Sequence, residues 1–146
     1  MTPAQPSILP EDPGANRVLI VDDDLAQRML FVRVLRKGDY ESSVAMSTEE
    51  ARARLDESDY GLVVTDLHMF AEDGIELVRY VSEHHPETYS IVVSGFASSD
   101  DADHIRRAGA FDLMTKPVDQ KRFLDLVERA FEHRSKHVAE RRHRSG

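Results

Sequence analysis

The sequence contains no cysteine, which excludes disulfide bonds and thiolate metal sites and agrees with a reducing compartment. It also lacks any apolar run long enough to span a bilayer. The opening segment, residues 1–6, has neither the basic stretch nor the apolar stretch of a signal peptide. We therefore expect a cytoplasmic protein that has no membrane segment.

Negative charge exceeds positive charge over most of the chain. Of the 146 residues, 32% are charged and 40% are hydrophobic, a composition typical of one soluble globular domain. The formal charge of −8 is uneven, because residues 132–146 carry +3 and the preceding residues carry −11. An acidic body argues against binding to nucleic-acid phosphates, so we expect no direct nucleic acid binding. The basic end is interpreted as a solvated helix end or linker, with contact to an acidic partner as the alternative.

Proline is rare outside the start of the chain, where four of the six prolines lie within residues 1–16. This segment has no hydrophobic periodicity and is predicted to be a flexible N-terminal arm. Residues 17–132 alternate apolar runs with helical patterns, which indicates βαβ units and a parallel sheet. Residues 133–146 are predicted to be a basic C-terminal helical extension or linker.

Five apolar runs predict the strands of this sheet. They lie at residues 17–21, 40–46, 62–65, 90–94 and 111–115. The second run is the most polar and is placed at an edge. Right-handed crossovers then give an α/β fold, a doubly wound (βα)5 three-layer sandwich, in which ligands bind outside the carboxyl ends of the strands.

Short local signals predict where the helices begin and end. Capping residues Asp24, Ser47, Ser98 and Asp119 predict four helix starts. Gly38 predicts the end of the first helix. After the third strand, a loop is predicted to run through Asp73-Gly74 before the next helix.

Charged residues stand where three of the apolar strands end. Asp22 and Asp23 follow the first strand, Asp66 follows the third and Lys116 follows the fifth. A parallel sheet brings these ends together, so three carboxylates and one ammonium are expected around one point. Mg²⁺ prefers such oxygen ligands, usually one or two carboxylates together with phosphate and water. The pattern therefore favours a site for Mg²⁺ (or Mn²⁺) and a phosphoryl group.

Phosphoryl transfer needs mainly positioning and charge neutralisation from the protein. The carboxylate of Asp66 can act as a nucleophile and form an acyl phosphate. Lys116 supplies positive charge to the phosphoryl oxygens or to Asp66 itself, and Ser94, at the end of the fourth strand, can donate its hydroxyl. Taken singly, each residue is better explained as a cap or turn residue. Their joint position at the ends of four core strands favours one site.

These motifs together resemble the receiver domain of two-component response regulators, of the chemotaxis-receiver type. The segments that carry the resemblance are residues 18–24, 64–69, 73–74, 92–96, 109–110 and 115–117. The match covers most of the chain, from residue 16 to residue 132. It implies a flavodoxin-like sheet of order 2-1-3-4-5 and often a cis peptide bond, here between Lys116 and Pro117.

The resemblance also implies roles for the site residues. Asp66 would be the phosphoacceptor in phosphorelay signal transduction and would be phosphorylated by a sensor histidine kinase or a phosphotransfer protein. The implied magnesium ligands are Asp22, Asp23, Asp66 and the backbone carbonyl of His68, and the implied phosphoryl contacts are Ser94 and Lys116. Such a phosphoprotein is a switch and not an enzyme beyond its own phosphorylation and dephosphorylation.

The chain departs from the family pattern at two positions. Phe70 stands where the family usually has proline, so that loop is expected to be more mobile or to pack its ring over the site. Leu113 stands where the family tends to have a switch aromatic, which puts the ring-based part of the switch in question. Phe96 is then either a surface substitute for that ring or, more simply, a core residue.

Other functions remain open alternatives. An aspartate-nucleophile phosphatase commonly needs a second Asp two residues after the first, where this chain has His68. A nucleotide- or flavin-binding module needs a glycine- or hydroxyl-rich first loop, and this chain has three aspartates there. The chain is interpreted either as a stand-alone receiver or as the amino-terminal receiver of a longer regulator. A homodimer through the last helix is one arrangement open to it.

Overall fold

A computed structural model describes residues 12–69, 72–95 and 98–145. The strands are β1 (Arg17–Val21), β2 (Glu41–Ala45), β3 (Leu62–Asp66), β4 (His68–Met69), β5 (Glu72–Asp73), β6 (Tyr89–Ser94) and β7 (Asp112–Thr115). The helices are α1 (Leu25–Lys37), α2 (Thr48–Glu57), α3 (Gly74–His84), α4 (Ser99–Ala108) and α5 (Gln120–Ser145).

The main sheet is parallel and has the order β2-β1-β3-β6-β7. Counting only its own five strands, this is the expected order 2-1-3-4-5, so the flavodoxin-like fold is confirmed. The polar strand β2 lies at an edge, as its composition predicts. The central strand β3 is buried along its whole length because helices cover both faces of the sheet.

Alternating side chains of β1 show how the two faces are covered. Val18 and Ile20 pack with α1 and α5 residues such as Phe31 and Phe123. Leu19 and Val21 point to the other face and pack with residues of α2 and α3. A third cluster joins α3 and α4 to β6. The helices therefore form two outer layers, one on each face of the sheet.

The predicted helix caps are found where the sequence places them. Asp24 and Ser47 cap α1 and α2, and Ser98 forms a reciprocal capping box with Asp101 at the start of α4. The end of α1 differs in one detail: Gly38 has φ −92°, and Asp39 adopts the left-handed conformation with φ 67°. Gly38 closes the helix, but it is not the left-handed residue that the glycine signal predicts.

The connection after β3 contains more structure than the predicted loop. His68 pairs with Asp73 in a short antiparallel ladder between β4 and β5. The expectations for Phe70 and Phe96 lie outside the described residues. None of the helices that the structure describes is long and apolar enough to cross a membrane.

The last helix continues without a break beyond the predicted boundary at residue 132. Arg134 and Val138 are buried, with 4% and 3% of their surface exposed. The basic end therefore makes contacts within the chain, in addition to the solvated positions that its composition predicts. The division of the chain at residues 16 and 132 stays a prediction, and residues 1–11 lie outside the described part.

Candidate functional site at the carboxyl edge of the sheet

Asp66 and Lys116 meet at the carboxyl edge of the sheet. Asp66 ends β3, and Lys116 follows β7. The Nζ of Lys116 donates to Oδ2 of Asp66 at 2.9 Å, and the two side chains are 30% and 11% exposed. This ion pair holds a nearly buried carboxylate at the carboxyl edge of the sheet.

The other oxygen of Asp66 is held by the backbone. The N–H of His68 donates to Oδ1 at 3.1 Å. Gly74 makes room for this turn, because a Cβ atom there would collide with the carbonyl oxygen of Asp66. Both carboxylate oxygens therefore have fixed directions before any substrate arrives.

Ser94 lies beside this pair at the end of β6. It is fully buried, and its backbone carbonyl accepts a hydrogen bond of 2.7 Å from the N–H of Lys116. In the register between β6 and β7, Ser94 pairs with Thr115, so the two strands end at the same position along the sheet. The peptide bond between Lys116 and Pro117 is cis, as the family resemblance implies.

Asp22 is a buried carboxylate of the site. Only 2% of its surface is exposed, and Oδ1 accepts a hydrogen bond of 2.9 Å from the N–H of Asp24. The guanidinium of Arg28 donates to the backbone carbonyl of Asp22 at 2.9 Å. Asp23, the next residue, is exposed. The turn after β1 is therefore held by two contacts, one to the side chain of Asp22 and one from Arg28 of α1 to its backbone.

The environment of Asp22 is unfavourable for its charge. Burial raises the pKa of Asp22 above its ordinary value, while the N–H of Asp24 lowers it. The nearby charge of Asp66 raises the pKa further, Lys116 lowers it, and Asp23 raises it. Asp22, Asp66 and Lys116 are therefore electrostatically coupled, as expected for residues that share one site.

The chemistry of these donors fits a divalent cation. A cation would remove the repulsion between the carboxylates and offset the burial of Asp22. Within residues 12–69, 72–95 and 98–145, no three acidic or histidine side chains form a metal site by themselves. Magnesium in phosphoryl-transfer sites usually takes one or two carboxylates and fills its other positions with phosphate and water, so a partial protein set is sufficient.

Comparison with known proteins identifies the family. The model of the response regulator receiver domain matches residues 18–128, more than half of the chain. The chain belongs to the response regulator receiver family. Receiver domains of this kind use a divalent metal and interact with histidine kinases.

Curated relatives of this receiver are longer proteins. It is 34% identical over 124 residues to the response regulator protein PilR of Pseudomonas aeruginosa, covering 85% of this chain and 28% of PilR. It is 30% identical to the transcriptional regulatory protein ZraR of Salmonella typhimurium, covering 82% of this chain and 27% of ZraR. The chain thus spans about a quarter of the length of the curated relatives it matches.

Solved structures support the same fold. A CheY-like receiver domain protein from Methanospirillum hungatei superposes with a TM-score of 0.80 at 27% identity, covering 84% of this chain and 98% of that one. The beryllofluoride-activated NtrC4 receiver domain dimer gives a TM-score of 0.78 at 29% identity, covering 82% and 98%.

The structure places Leu113 of this receiver in the packing of one outer layer. It is half-buried on β7 and packs against the cluster that contains Ile105 and Ala108 of α4. Sequence reasoning did not find Arg28, whose contact with Asp22 depends on the first turn of α1. The only sequence signal for it is its position one helical turn after the cap Asp24.

Proposed function

We propose that this receiver accepts a phosphoryl group on Asp66 from a phosphohistidine donor, namely a sensor histidine kinase or a phosphotransfer protein. The observation that carries the proposal is the ion pair of 2.9 Å between Asp66 and Lys116 at the carboxyl edge of the sheet. It joins a carboxylate that can act as a nucleophile to a fixed positive charge.

The transfer needs only a few steps. A carboxylate oxygen of Asp66 attacks phosphorus, the P–N bond to the donor histidine breaks, and the imidazole leaves with the electron pair. Lys116, which holds Oδ2 in the free protein, is positioned to neutralise the new phosphoryl oxygens. Asp22, Asp23, Asp66 and the His68 carbonyl are the proposed magnesium ligands, and the bound ion would neutralise charge on the phosphoryl group.

Phosphorylation is proposed to act as a switch. The new oxygens would draw the hydroxyl of Ser94 and shift the segment that follows β6. The face formed by α4, β7 and α5 would then repack and change its affinity for a partner or a fused domain. Because Leu113 already packs against α4, we expect an aliphatic repacking at that position and no swing of an aromatic ring.

The protein is proposed to be a phosphoacceptor and not a turnover enzyme, acting in the cytoplasm without binding nucleic acid through this domain. The alternative is an amino-terminal receiver in a longer regulator, and the greater length of the relatives supports it. Both forms use Asp66 in the same way, and they differ only in what responds to the switch.

A direct test uses acetyl phosphate, Mg²⁺ and intact-protein mass spectrometry. The wild type is expected to gain the mass of one phosphoryl group, and removal of Mg²⁺ by a chelator should prevent the gain. Asp66→Ala should not gain mass, whereas the control Asp125→Ala on α5 should behave as the wild type. A gain that persists in Asp66→Ala, or no gain in the wild type, would contradict the assignment.

A second arm tests the donor. A phosphorylated histidine kinase or phosphotransfer protein is mixed with the receiver, and label is followed from one protein to the other. Transfer to the wild type and not to Asp66→Ala is expected. Steady release of phosphate from small phosphomonoesters would instead favour the phosphatase alternative.

A further inference from the structure

A second polar cluster lies at the amino edge of the sheet, opposite Asp66. Its centre is Arg134 of α5, whose side chain is only 5% exposed. The guanidinium donates to both carboxylate oxygens of Asp12, at 2.9 and 3.1 Å. Its Nε donates to the backbone carbonyl of Glu87 at 2.6 Å. One buried side chain thus joins the start of the described chain, the segment before β6 and the last helix.

Two glycines leave the space that this guanidinium occupies. A Cβ atom on Gly14 would lie 3.1 Å from a terminal nitrogen of Arg134 and 3.0 Å from the backbone of residues 60–61. A Cβ atom on Gly61 would collide with the carbonyl of Gly14 and the ring of Phe131. The guanidinium therefore lies in a fitted cleft between two chain segments, unlike an ion pair on an open surface.

Contacts continue along α5 beyond Arg134. Arg141 and Arg142 reach the carboxylate of Glu87 at 3.4 and 3.2 Å. The Nδ1 of His133 lies 2.7 Å from the hydroxyl of Tyr89. These partly exposed contacts are individually weak, so we assign the main holding role to the buried, bidentate pair of Arg134 and Asp12.

The geometry of the helix shows why it needs such a contact. With 26 residues, α5 is about 39 Å long, whereas a five-residue strand such as β3 spans about 17 Å. The helix therefore runs past the amino edge of the sheet. Without an anchor there, its last turns would be free to fray or bend.

We propose that Asp12, Glu87 and Arg134 form a latch that fixes the direction of α5. The latch makes residues 12–16 and 133–142 part of the folded receiver. Both Asp12 and Arg134 lie outside the 18–128 range matched by the family model, so the latch is a feature of this chain beyond that range. It sits at the opposite ends of β3 and β6 from Asp66 and Ser94. The direction of α5 relative to Asp66 is thereby fixed, and this holds whether or not Asp66 accepts phosphate.

The absence of cysteine allows a clean distance measurement. Cysteines introduced at Glu57 and Ala139, both exposed, would carry spin labels for pulsed electron paramagnetic resonance. The labelled wild-type sequence is expected to give one narrow distance distribution. Arg134→Ala should give a clearly broader one. The matched control Lys136→Ala removes the same charge from an exposed position of the same helix and should stay narrow.

Two further variants keep the test decisive if Arg134→Ala fails to fold. Asp12→Asn weakens the latch from outside the helix and should also broaden the distribution, while Arg134→Lys, which cannot form the bidentate pair, should lie between wild type and Asp12→Asn. Far-ultraviolet circular dichroism should show that these variants retain the fold. A broad distribution in the wild type, or narrow distributions in all latch variants, would overturn the proposal.

Discussion

The Nζ of Lys116 lies 2.9 Å from Oδ2 of Asp66, although the two residues are 50 positions apart in sequence. This contact predicts the effect of removing the charge. Lys116→Gln should slow phosphorylation by acetyl phosphate about tenfold to a hundredfold, because the developing charge on the phosphoryl oxygens loses its fixed partner. The rate is measured from the growth of the phosphorylated mass peak.

The control for this prediction is Lys121→Gln, which removes a lysine that is 87% exposed on α5. It should label at the wild-type rate. Equal rates for Lys116→Gln and the wild type would show that the ion pair has no part in the transfer.

Arg28 provides a second prediction, because its guanidinium holds the backbone carbonyl of Asp22. Loss of that contact should loosen the turn that carries Asp22 and Asp23, so Arg28→Ala should bind Mn²⁺ about tenfold more weakly. Free Mn²⁺ is measured by electron paramagnetic resonance during a titration. Arg28→Lys, which keeps the charge and can still donate a hydrogen bond but has a different reach and geometry, should lie between the wild type and Arg28→Ala.

The direction of the change in Mn²⁺ affinity distinguishes a positioning role of Arg28 from a direct effect of its charge. Removing a positive charge near a cation site should, by itself, tighten cation binding. Arg33→Ala removes the same charge from an exposed position on the same helix and should leave binding unchanged or slightly tighter. Tighter binding by Arg28→Ala would refute the positioning role.

The parts of the fold that depend on local patterns were predictable. Strand positions follow from apolar runs, and the starts of α1, α2 and α4 follow from Asp24, Ser47 and Ser98, because a cap acts on the backbone within a few residues. The meeting of Asp66 and Lys116 was predictable because the ends of parallel strands share an edge. These inferences need only sequence spacing and the rules of βαβ topology.

The features that sequence reasoning missed depend on contacts between distant segments. Arg134 and Asp12 are 122 positions apart. Position 134 continues the helical spacing of Ala130 and Val138, but an arginine there is expected to be solvated unless its distant partner is known. The ladder between β4 and β5 is only two residues long on each side, too short for an alternating pattern. The left-handed residue after α1 is Asp39, because Gly38 is used to close the last turn.

A contact between α2 and α3 predicts a dependence of stability on pH. Hydrogen bonds from Tyr80 and then His85 lower the pKa of Asp56 below its ordinary value of 3.8. A lowered pKa in the folded state contributes stability above the unfolded value and loses it as the pH falls through the folded value. The urea midpoint of the wild type should therefore exceed that of Asp56→Asn near neutral pH, and the two should converge only as the pH falls below 3.8.

The carboxylate of Asp56 is exposed, so this difference should be small. Asp103→Asn on α4 is the matched control, since it removes an exposed carboxylate from another helix, and it should not reproduce the midpoint difference of Asp56→Asn near neutral pH. Parallel curves for wild type and Asp56→Asn down to low pH would show that the contact does not contribute to stability.

Asp22 is expected to reduce the stability of the metal-free protein. Its raised pKa means that burial disfavours the ionised form, so its full cost is present at neutral pH and would disappear only on protonation. Asp22→Asn keeps an acceptor for the N–H of Asp24 and removes the charge, so it should unfold at a higher urea concentration than the wild type in the presence of a chelator.

Added Mg²⁺ should stabilise the wild type and have little effect on the variant, because only the wild type gains binding free energy. Asp23→Asn, at an exposed position, removes only the smallest of the contributions that raise the pKa of Asp22, so it should stabilise the metal-free protein less than Asp22→Asn does. A lower midpoint for Asp22→Asn without metal would show that the buried carboxylate is already compensated within the fold.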